Sequence, residues 1–213
     1  MEKTFEQTLA GIRARAGEPL NTLNDQLVER LLAAETASRA LKVGDACPDV
    51  SLPSAEGRFV RIRDLLARGP LVISFYRGQW CPFCSAELEA LNNAEPRIRS
   101  AGATLIAITP ESGGVALKVK RERGFGFDIL CDLDNGAALT FGLVFRLPAE
   151  LESLFRSASL DLAKVYDNES WFLPMPATYV VRRDGVIAHA YVNPDFRFRL
   201  DPLEIERVIV QLP

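Results

Sequence analysis

The sequence predicts an α/β fold in which a largely parallel β-sheet is covered by helices. From Leu71 to Cys131, apolar runs of strand length alternate with amphipathic helical stretches, and Gly or Pro bounds each of them. This alternation is typical of βαβ units with parallel strands. Later in the chain Asp184-Gly185 separates two further apolar runs, which indicates a β-hairpin.

Residues 1–40 are predicted to form a helical arm. Phe5, Leu9 and Ile12 share one helical face, and leucines repeat at three- and four-residue spacing after the break at Gly17-Glu18-Pro19. This apolar stripe either covers the core of the same chain or pairs with a second subunit, so a homo-oligomer through the N-terminal helices stays open. We therefore divide the chain into an arm, residues 1–40, and a domain, residues 41–213.

The elements of the domain follow from apolar periodicity and from the residues that interrupt it. The predicted strands are Val50–Leu52, Phe59–Ile62, Leu71–Tyr76, Thr104–Thr109, Asp128–Cys131, Ala177–Arg182 and Val186–Val192. The predicted helices are Asp64–Arg68, Pro82–Ser100, Ser112–Arg123, Asn135–Gly142, Pro148–Lys164 and Pro202–Gln211. We expect Pro96 to kink its helix or to start a new segment, because proline removes a backbone hydrogen bond.

The chemistry is predicted from the motif Cys-Pro-Phe-Cys at residues 81–84, between a strand and a helix. A thiol at a helix N-terminus is stabilised as the reactive thiolate by the helix dipole. Pro82 suits the first helical position, so the helix should begin at Cys81. Cys84 lies one turn later on the same face, where the two sulfurs can close a disulfide. Cys81 is therefore the predicted attacking thiol and Cys84 the resolving one.

Two alternatives for this pair remain. With Cys47, Cys131 and His189, the two cysteines could bind zinc, although structural zinc sites usually recruit a second close pair. The pair could also be buried and structural, but the residues before it resemble an open turn. We predict neither a metal nor a cofactor, and we expect Cys47 and Cys131 to be inert thiols.

Composition narrows the function class. A net charge of −3 and a pI near 5.4 provide no basic field for nucleic acid, and no apolar run has the length of a membrane span. The N-terminus lacks the hydrophobic centre of a secretory signal, which favours the cytoplasm. In that reducing compartment a close cysteine pair indicates catalysis or metal binding rather than a disulfide scaffold.

Four segments resemble the peroxiredoxin-like branch of the alkyl hydroperoxide reductase and thiol-specific antioxidant family. They read VGDACPDVSLP, FYRGQWCPFC, FDILCDLDNGAALTFGL and PMPATYVVRRDGVI, and the similarity covers about residues 43–211. The resemblance implies a thioredoxin-like fold, with a central mixed β-sheet flanked by helices and the arm as an N-terminal extension. It also implies an antioxidant oxidoreductase with a redox-active disulfide.

The resemblance assigns further site residues. It places Pro176 opposite the cysteine pair, where thioredoxin-like proteins carry a cis-proline, and it places Trp80 where it would shield Cys81. The pattern is incomplete, because Gly78 replaces a Thr or Ser and Pro176 replaces an arginine of typical peroxiredoxins, while Ser74 replaces the buried acid of thioredoxins. Arg77 can supply the missing charge, although a solvated loop arginine is the interpretation that the sequence favours.

These observations predict a thiol-dependent enzyme that reduces hydroperoxides through Cys81 and Cys84. A thioredoxin-like protein disulfide oxidoreductase is the close alternative, and a non-enzymatic redox-sensing module is a further one. The expected partners are a hydroperoxide or disulfide substrate and a thiol electron donor such as a thioredoxin or glutaredoxin system.

Overall fold

The computed structural model describes residues 3–212. Residues 1–2, at the start of the predicted arm, and residue 213, at the end of the predicted domain, lie outside the described residues. The helices are α1 Phe5–Arg15, α2 Leu20–Ala33, α3 Ile62–Leu66, α4 Pro82–Ser100, α5 Gly113–Arg123, α6 Gly136–Thr140, α7 Ala149–Ser157, α8 Leu162–Tyr166 and α9 Pro202–Val210. The strands are β1 Ser51–Pro53, β2 Phe59–Arg61, β3 Leu71–Phe75, β4 Thr104–Thr109, β5 Asp128–Cys131, β6 Val144–Arg146, β7 Phe172–Pro174, β8 Ala177–Val181 and β9 Ile187–Val192.

The central sheet is mixed, with strand order β5-β4-β3-β8-β9. Strands β3, β4 and β5 run parallel, whereas β8 is antiparallel to β3 and β9 is antiparallel to β8. Every residue of β3 is buried, because helices cover both faces of the sheet. The predicted α/β class and mixed sheet are therefore confirmed, and the end of β3 at Phe75 positions the cysteine motif.

Helix α4 carries the motif at its N-terminus. It begins at Pro82, with Cys81 as the N-cap residue, and its apolar face is buried in the core. Proline suits the first position because its missing N–H has no intrahelical partner there. The helix continues through Pro96 to Ser100 as one element, so the expected new segment at Pro96 does not occur.

The N-terminal helices pack against the rest of the chain. Leu9 of α1 and Leu27 and Leu31 of α2 belong to the same buried core as the sheet. An ion pair between Asp25 and the buried Arg197, 2.6 Å apart, also joins α2 to the segment before α9. The apolar stripe is therefore buried within this chain, and the division at residues 40 and 41 stays a prediction.

Two parts of the fold differ from the predicted elements. The single helix predicted over Pro148–Lys164 is wrong, because the chain forms α7 and α8, and Asp161 between them caps α8 through its side chain. The short antiparallel pair β6 and β7 was not predicted. Each of its strands has three residues, too few to show a clear period of two.

Candidate active site

The two cysteines of the motif lie together beneath the surface. Cys81 and Cys84 are both free thiols with 0 % exposure. The backbone N–H of Cys84 donates a hydrogen bond of 3.3 Å to the Cys81 sulfur, which thereby caps α4. Backbone N–H groups at a helix N-terminus bind anions in this way, so the position of Cys81 stabilises a thiolate.

Arg77 is part of this site, so its interpretation as a solvated loop arginine is wrong. It is 3 % exposed, and its Nη2 donates a hydrogen bond of 3.0 Å to the Cys81 sulfur. Its guanidinium lies 3.7 Å from the ring centroid of Phe196, and its carbonyl accepts a hydrogen bond from the Tyr166 hydroxyl. The turn after β3 folds back over the helix N-terminus, which buries the arginine against the sulfur.

A second arginine, which the sequence analysis missed, contacts the other sulfur. Arg199 Nη2 lies 3.4 Å from the Cys84 sulfur, and Arg199 Nε lies 2.9 Å from Glu87 Oε2. Glu87 is one turn after Cys84 in α4, and Thr178 of β8 lies 3.5 Å from its other oxygen. A buried acid is thus present, but it comes from the helix rather than from the Ser74 position.

The charges around the sulfurs separate the two thiols. Burial alone would raise the pKa of Cys81, but the hydrogen bond from Cys84 and the charges of Arg77 and Arg199 outweigh burial and hold this pKa well below its usual value. Burial raises the pKa of Cys84 well above its usual value, and the charge on Cys81 raises it further. The resting site therefore carries its thiolate on Cys81.

Glu111 is a further buried acid that sequence reasoning missed. It follows β4, it is 0 % exposed, and it accepts a hydrogen bond of 2.9 Å from the Gln79 backbone N–H. Burial raises its pKa to about 7, and the negative charge on Cys81 also raises it. A polar residue two positions after the end of a buried parallel strand was an available signal, because the carboxyl ends of such strands meet at one edge of the sheet.

Trp80 and Pro82 lie on the outer side of the motif. The Trp80 indole N–H donates a hydrogen bond of 2.7 Å to the Tyr166 hydroxyl, and its ring packs edge-on against Phe155. Trp80 is half-buried and Pro82 is exposed. Trp80 therefore connects the turn before Cys81 to the α7–α8 region.

The expected cis bond before Pro176 is wrong. The cis peptide bond within residues 3–212 is Glu18–Pro19, and the Met175–Pro176 bond is trans. Trans is the lower-energy isomer of an X-Pro bond, so the bond needs no special contact to adopt it. The Met175 N–H donates a hydrogen bond of 2.7 Å to the Leu143 carbonyl and continues the β6–β7 pairing.

An apolar cleft of about 440 Å³ adjoins the motif. Arg77, Trp80 and Phe83 form one wall, and residues of the arm, including Ile12 and Leu20, form another. Arg77 both lines this cleft and hydrogen-bonds Cys81. Arg77 therefore lies between the cleft and the Cys81 sulfur and contacts both.

The remaining cysteines lie outside this cluster. Burial raises the pKa of Cys47 to about 12 and that of Cys131 to about 11, so neither carries a thiolate at neutral pH. Within residues 3–212 no group of three or more His, Cys, Asp and Glu side chains is placed to hold a metal ion.

Comparison with known families gives a match over residues 43–190 to the model described as the AhpC/TSA family. The chain belongs to the AhpC/TSA family. The matched region holds both cysteines, Arg77, Glu87 and Glu111. The arm and Arg199 lie outside the region that this AhpC/TSA model covers.

Individual relatives of the chain include two kinds of thiol protein. It is 26% identical over 98 residues to peroxiredoxin bcp1 of Schizosaccharomyces pombe, which covers 46% of this chain and 50% of that protein. It is 24% identical over 104 residues to the thiol-disulfide oxidoreductase ResA of Bacillus anthracis, with 48% and 59% covered. The chain thus spans about half to three-fifths of the length of these relatives.

A solved structure supports the fold assigned to this AhpC/TSA member. Peroxidoxin BcpB from Mycobacterium tuberculosis aligns with a TM-score of 0.62 and 20% identity, covering 79% of this chain and 96% of that one. The predicted thioredoxin-like fold is therefore confirmed. Among residues 3–212, none of the helices combines the length and the apolar character needed to cross a membrane.

Proposed function

We propose that the chain is a thiol-dependent peroxidase that reduces organic hydroperoxides through Cys81 and Cys84. The observation that carries this proposal is the 3.0 Å hydrogen bond from Arg77 to the buried Cys81 sulfur. A guanidinium at this place stabilises the attacking thiolate and can polarise the oxygen that receives charge in the transition state. Arg77 thus supplies the charge that Pro176 cannot.

The reaction proceeds in two steps at the sulfurs. The Cys81 thiolate attacks one peroxide oxygen, the O–O bond breaks, and the products are a sulfenic acid and an alkoxide that takes a proton to become an alcohol. Cys84 then displaces the oxygen of the sulfenic acid as water and forms the disulfide. A donor dithiol restores both thiols by two-electron exchange, and a thioredoxin or glutaredoxin system is the donor class that we propose.

The cleft favours a small organic hydroperoxide over a protein disulfide. In this reduced site Cys81 is 0 % exposed, so a protein disulfide substrate, like the protein donor that later reduces the Cys81–Cys84 disulfide, reaches the sulfur only through a large opening of the site. A slender molecule in the apolar cleft needs only a local movement of Arg77 and Phe196, which separate the cleft from the sulfur. Apolar walls with few polar groups are typical of small-molecule sites.

The similarity to ResA keeps a protein disulfide oxidoreductase as the second candidate function. The Cys-x-x-Cys spacing suits exchange through a mixed disulfide equally well. The location that we propose is the cytoplasm. A homo-oligomer through the N-terminal helices would use their outer faces, because their apolar stripe is buried within the chain.

One experiment separates the candidates. Consumption of hydrogen peroxide and cumene hydroperoxide is measured beside insulin disulfide reduction for wild type, Cys81→Ser, Cys84→Ser and the control Cys47→Ser. We expect Cys81→Ser to lose peroxidase turnover, Cys84→Ser to stop after one turnover unless an external thiol is added, and Cys47→Ser to match wild type.

Three outcomes contradict this proposal. If Cys81→Ser retains turnover, the assigned chemistry is wrong. If wild type reduces insulin and leaves both peroxides intact, the chain is a disulfide oxidoreductase. If wild type shows neither activity while a partner protein binds only its oxidised form, the chain is a redox-sensing module.

A further inference from the structure

Each sulfur of the motif has an arginine of its own. Arg77 reaches Cys81 from the end of β3, and Arg199 reaches Cys84 from the segment that precedes α9. All four residues are buried, and the exposed part of Arg199, 8 % of the whole residue, is mostly backbone, since its side chain is 1 % exposed. A Cys-x-x-Cys pair needs only one activated thiol to attack, so a cation at the second sulfur requires its own explanation.

The cations of this cluster outnumber its paired carboxylate. Glu87 forms an ion pair with Arg199 at 2.9 Å, and the two side chains are 2 % and 1 % exposed. Arg77 has no carboxylate partner among the ion pairs of the residues that the structure describes, and its polar contact is the Cys81 sulfur. Burial raises the pKa of the other carboxyl, Glu111, to about 7, and while Glu111 holds its proton the two arginines against the Glu87 carboxylate leave one positive charge, which a single thiolate balances.

Further titratable groups surround the two sulfurs. These groups are Glu87 on α4, Tyr76 and Arg77 after β3, Glu111 after β4, Tyr166 of α8 and Arg199 before α9. Burial raises the pKa of both tyrosines, so they are neutral at physiological pH. The arginines, the two carboxyl groups and Cys81 therefore determine the charge on Cys84.

We propose that Arg199, held in place by Glu87, is a positioning residue for Cys84, and that the cluster moves its single negative charge from Cys81 to Cys84 once Cys81 is oxidised. In the reduced site the Cys81 thiolate suppresses ionisation of Cys84. Oxidation of Cys81 to a neutral sulfenic acid removes that repulsion and leaves Arg77 and Arg199 without a thiolate. Cys84 then loses its proton, because its anion restores the charge balance of a buried site.

This order of events gives the resolving step its driving force. The Cys84 thiolate attacks the sulfur of the Cys81 sulfenic acid, the S–S bond forms and the S–O bond breaks. The departing hydroxide takes up the proton that Cys84 released, so water leaves and no outside reactant is needed. In the reverse direction, when a donor thiolate attacks Cys81 in the disulfide, Arg199 stabilises Cys84 as the leaving thiolate.

The inference rests on the proposed function for its use in catalysis, but its test needs no peroxide. Cys81→Ser imitates the neutral, oxygen-bearing state of residue 81. The ultraviolet thiolate absorbance of Cys84 is titrated in this variant, with the Cys81→Ser/Cys84→Ser double variant subtracted to remove Cys47 and Cys131. Arg199→Met, Arg199→Lys, Glu87→Gln and Arg197→Met are each added to the Cys81→Ser background.

Opposite shifts are the expected result. Arg199→Met lowers the acid dissociation constant of Cys84 by about tenfold or more, since it removes a charge-assisted hydrogen bond, and Arg199→Lys lowers it less. Glu87→Gln raises the constant, because it removes a neighbouring negative charge. Arg197→Met removes another buried, ion-paired arginine of the same segment that bonds Asp195 and Asp25, and we expect no change.

If Arg199 and Glu87 only hold the site together, Arg199→Met and Glu87→Gln would both loosen it. The acid dissociation constant of Cys84 would then shift in the same direction in both variants. Same-direction shifts for Arg199→Met and Glu87→Gln overturn the inference, as does a shift for Arg197→Met equal to that for Arg199→Met. If Arg199→Met fails to fold, Glu87→Gln alone is the test: a higher acid dissociation constant of Cys84 supports the inference, and an equal or lower one overturns it. Loss of peroxidase activity does not enter this test, so its failure is distinct from failure of the proposed function.

Discussion

Replacement of Arg77 by methionine tests how the attacking thiol is activated. The guanidinium lies 3.0 Å from the Cys81 sulfur in a buried site, and at an effective dielectric constant of 20 two charges at this distance attract by about 5 kcal/mol. Water and neighbouring groups partly replace a lost partner, so hydrogen bonds to charged groups are worth about 1.5–3 kcal/mol in practice. We therefore expect the acid dissociation constant of Cys81 to fall roughly ten- to hundredfold.

The assay is the pH profile of the reaction between Cys81 and hydroperoxide under single-turnover conditions. Because fewer thiols are ionised at a given pH, the profile of Arg77→Met should move upward by about one to two pH units. The difference from wild type should then shrink as the pH rises. Arg77→Lys is the matched control, since it keeps the charge and should shift less.

Three results would contradict the role assigned to Arg77. A profile for Arg77→Met within a few tenths of a pH unit of wild type would show that the buried arginine does not stabilise the thiolate. A rate deficit that stays constant across the whole pH range would assign Arg77 to the peroxide alone. Equal losses in the methionine and lysine variants would indicate that shape rather than charge is what matters.

Three further predictions concern the surroundings of the sulfurs. The pKa of Glu111 is raised to about 7 from an ordinary 4.5, so between those values the folded chain holds a proton that the unfolded chain has released, and stability falls as the pH rises. In urea unfolding, the free energy of unfolding of Glu111→Gln, taken relative to that of wild type, should therefore rise by roughly 3 kcal/mol between about pH 5 and pH 8. A difference between the two proteins that does not change with pH would contradict the raised pKa of Glu111. Leu20→Trp should narrow the apolar cleft and lower kcat/KM for cumene hydroperoxide more than for hydrogen peroxide, and Leu32→Trp on the exposed face of the same helix should affect neither; equal losses for the two peroxides would remove the cleft as a substrate site. Gly78→Ala should destabilise the fold by about 1–3 kcal/mol, because φ is +152° and a methyl group there would lie 2.9 Å from the Glu111 carboxylate, whereas Gly114→Ala meets open space; similar unfolding midpoints for both would refute the strain.

Much of the fold was predictable because its signals are local. The strand Leu71–Phe75 and the helix from Pro82 follow from apolar period, from proline at the first helical position and from the breakers between them. The single helix predicted over Pro148–Lys164 is wrong, although it rests on the same apolar periodicity. The apolar periodicity continues across Asp161. The Asp161 side chain, however, accepts a hydrogen bond from the Ala163 N–H and so caps a new helix, α8.

The errors at the site have a different origin. Arg77 stands in a sequence that looks like an open turn, and only the packing of Phe196 and Tyr166 around it shows that it is buried against Cys81. The bond before Pro176 is trans, so the position of a proline in a resembling motif did not predict its isomer. Glu87 offered a weak signal, since it is a carboxylate on the buried face of an amphipathic helix.

The α/β class and the placement of Cys81 and Cys84 at the start of a helix follow from the sequence alone. These features arise from backbone hydrogen bonds and side-chain contacts within a few residues, which composition and spacing encode directly. The charges that surround the sulfurs, in contrast, depend on tertiary packing. Arg199 lies 115 residues from Cys84 in the chain, and a contact at that separation exists because the sheet and helices pack, not because of any local preference.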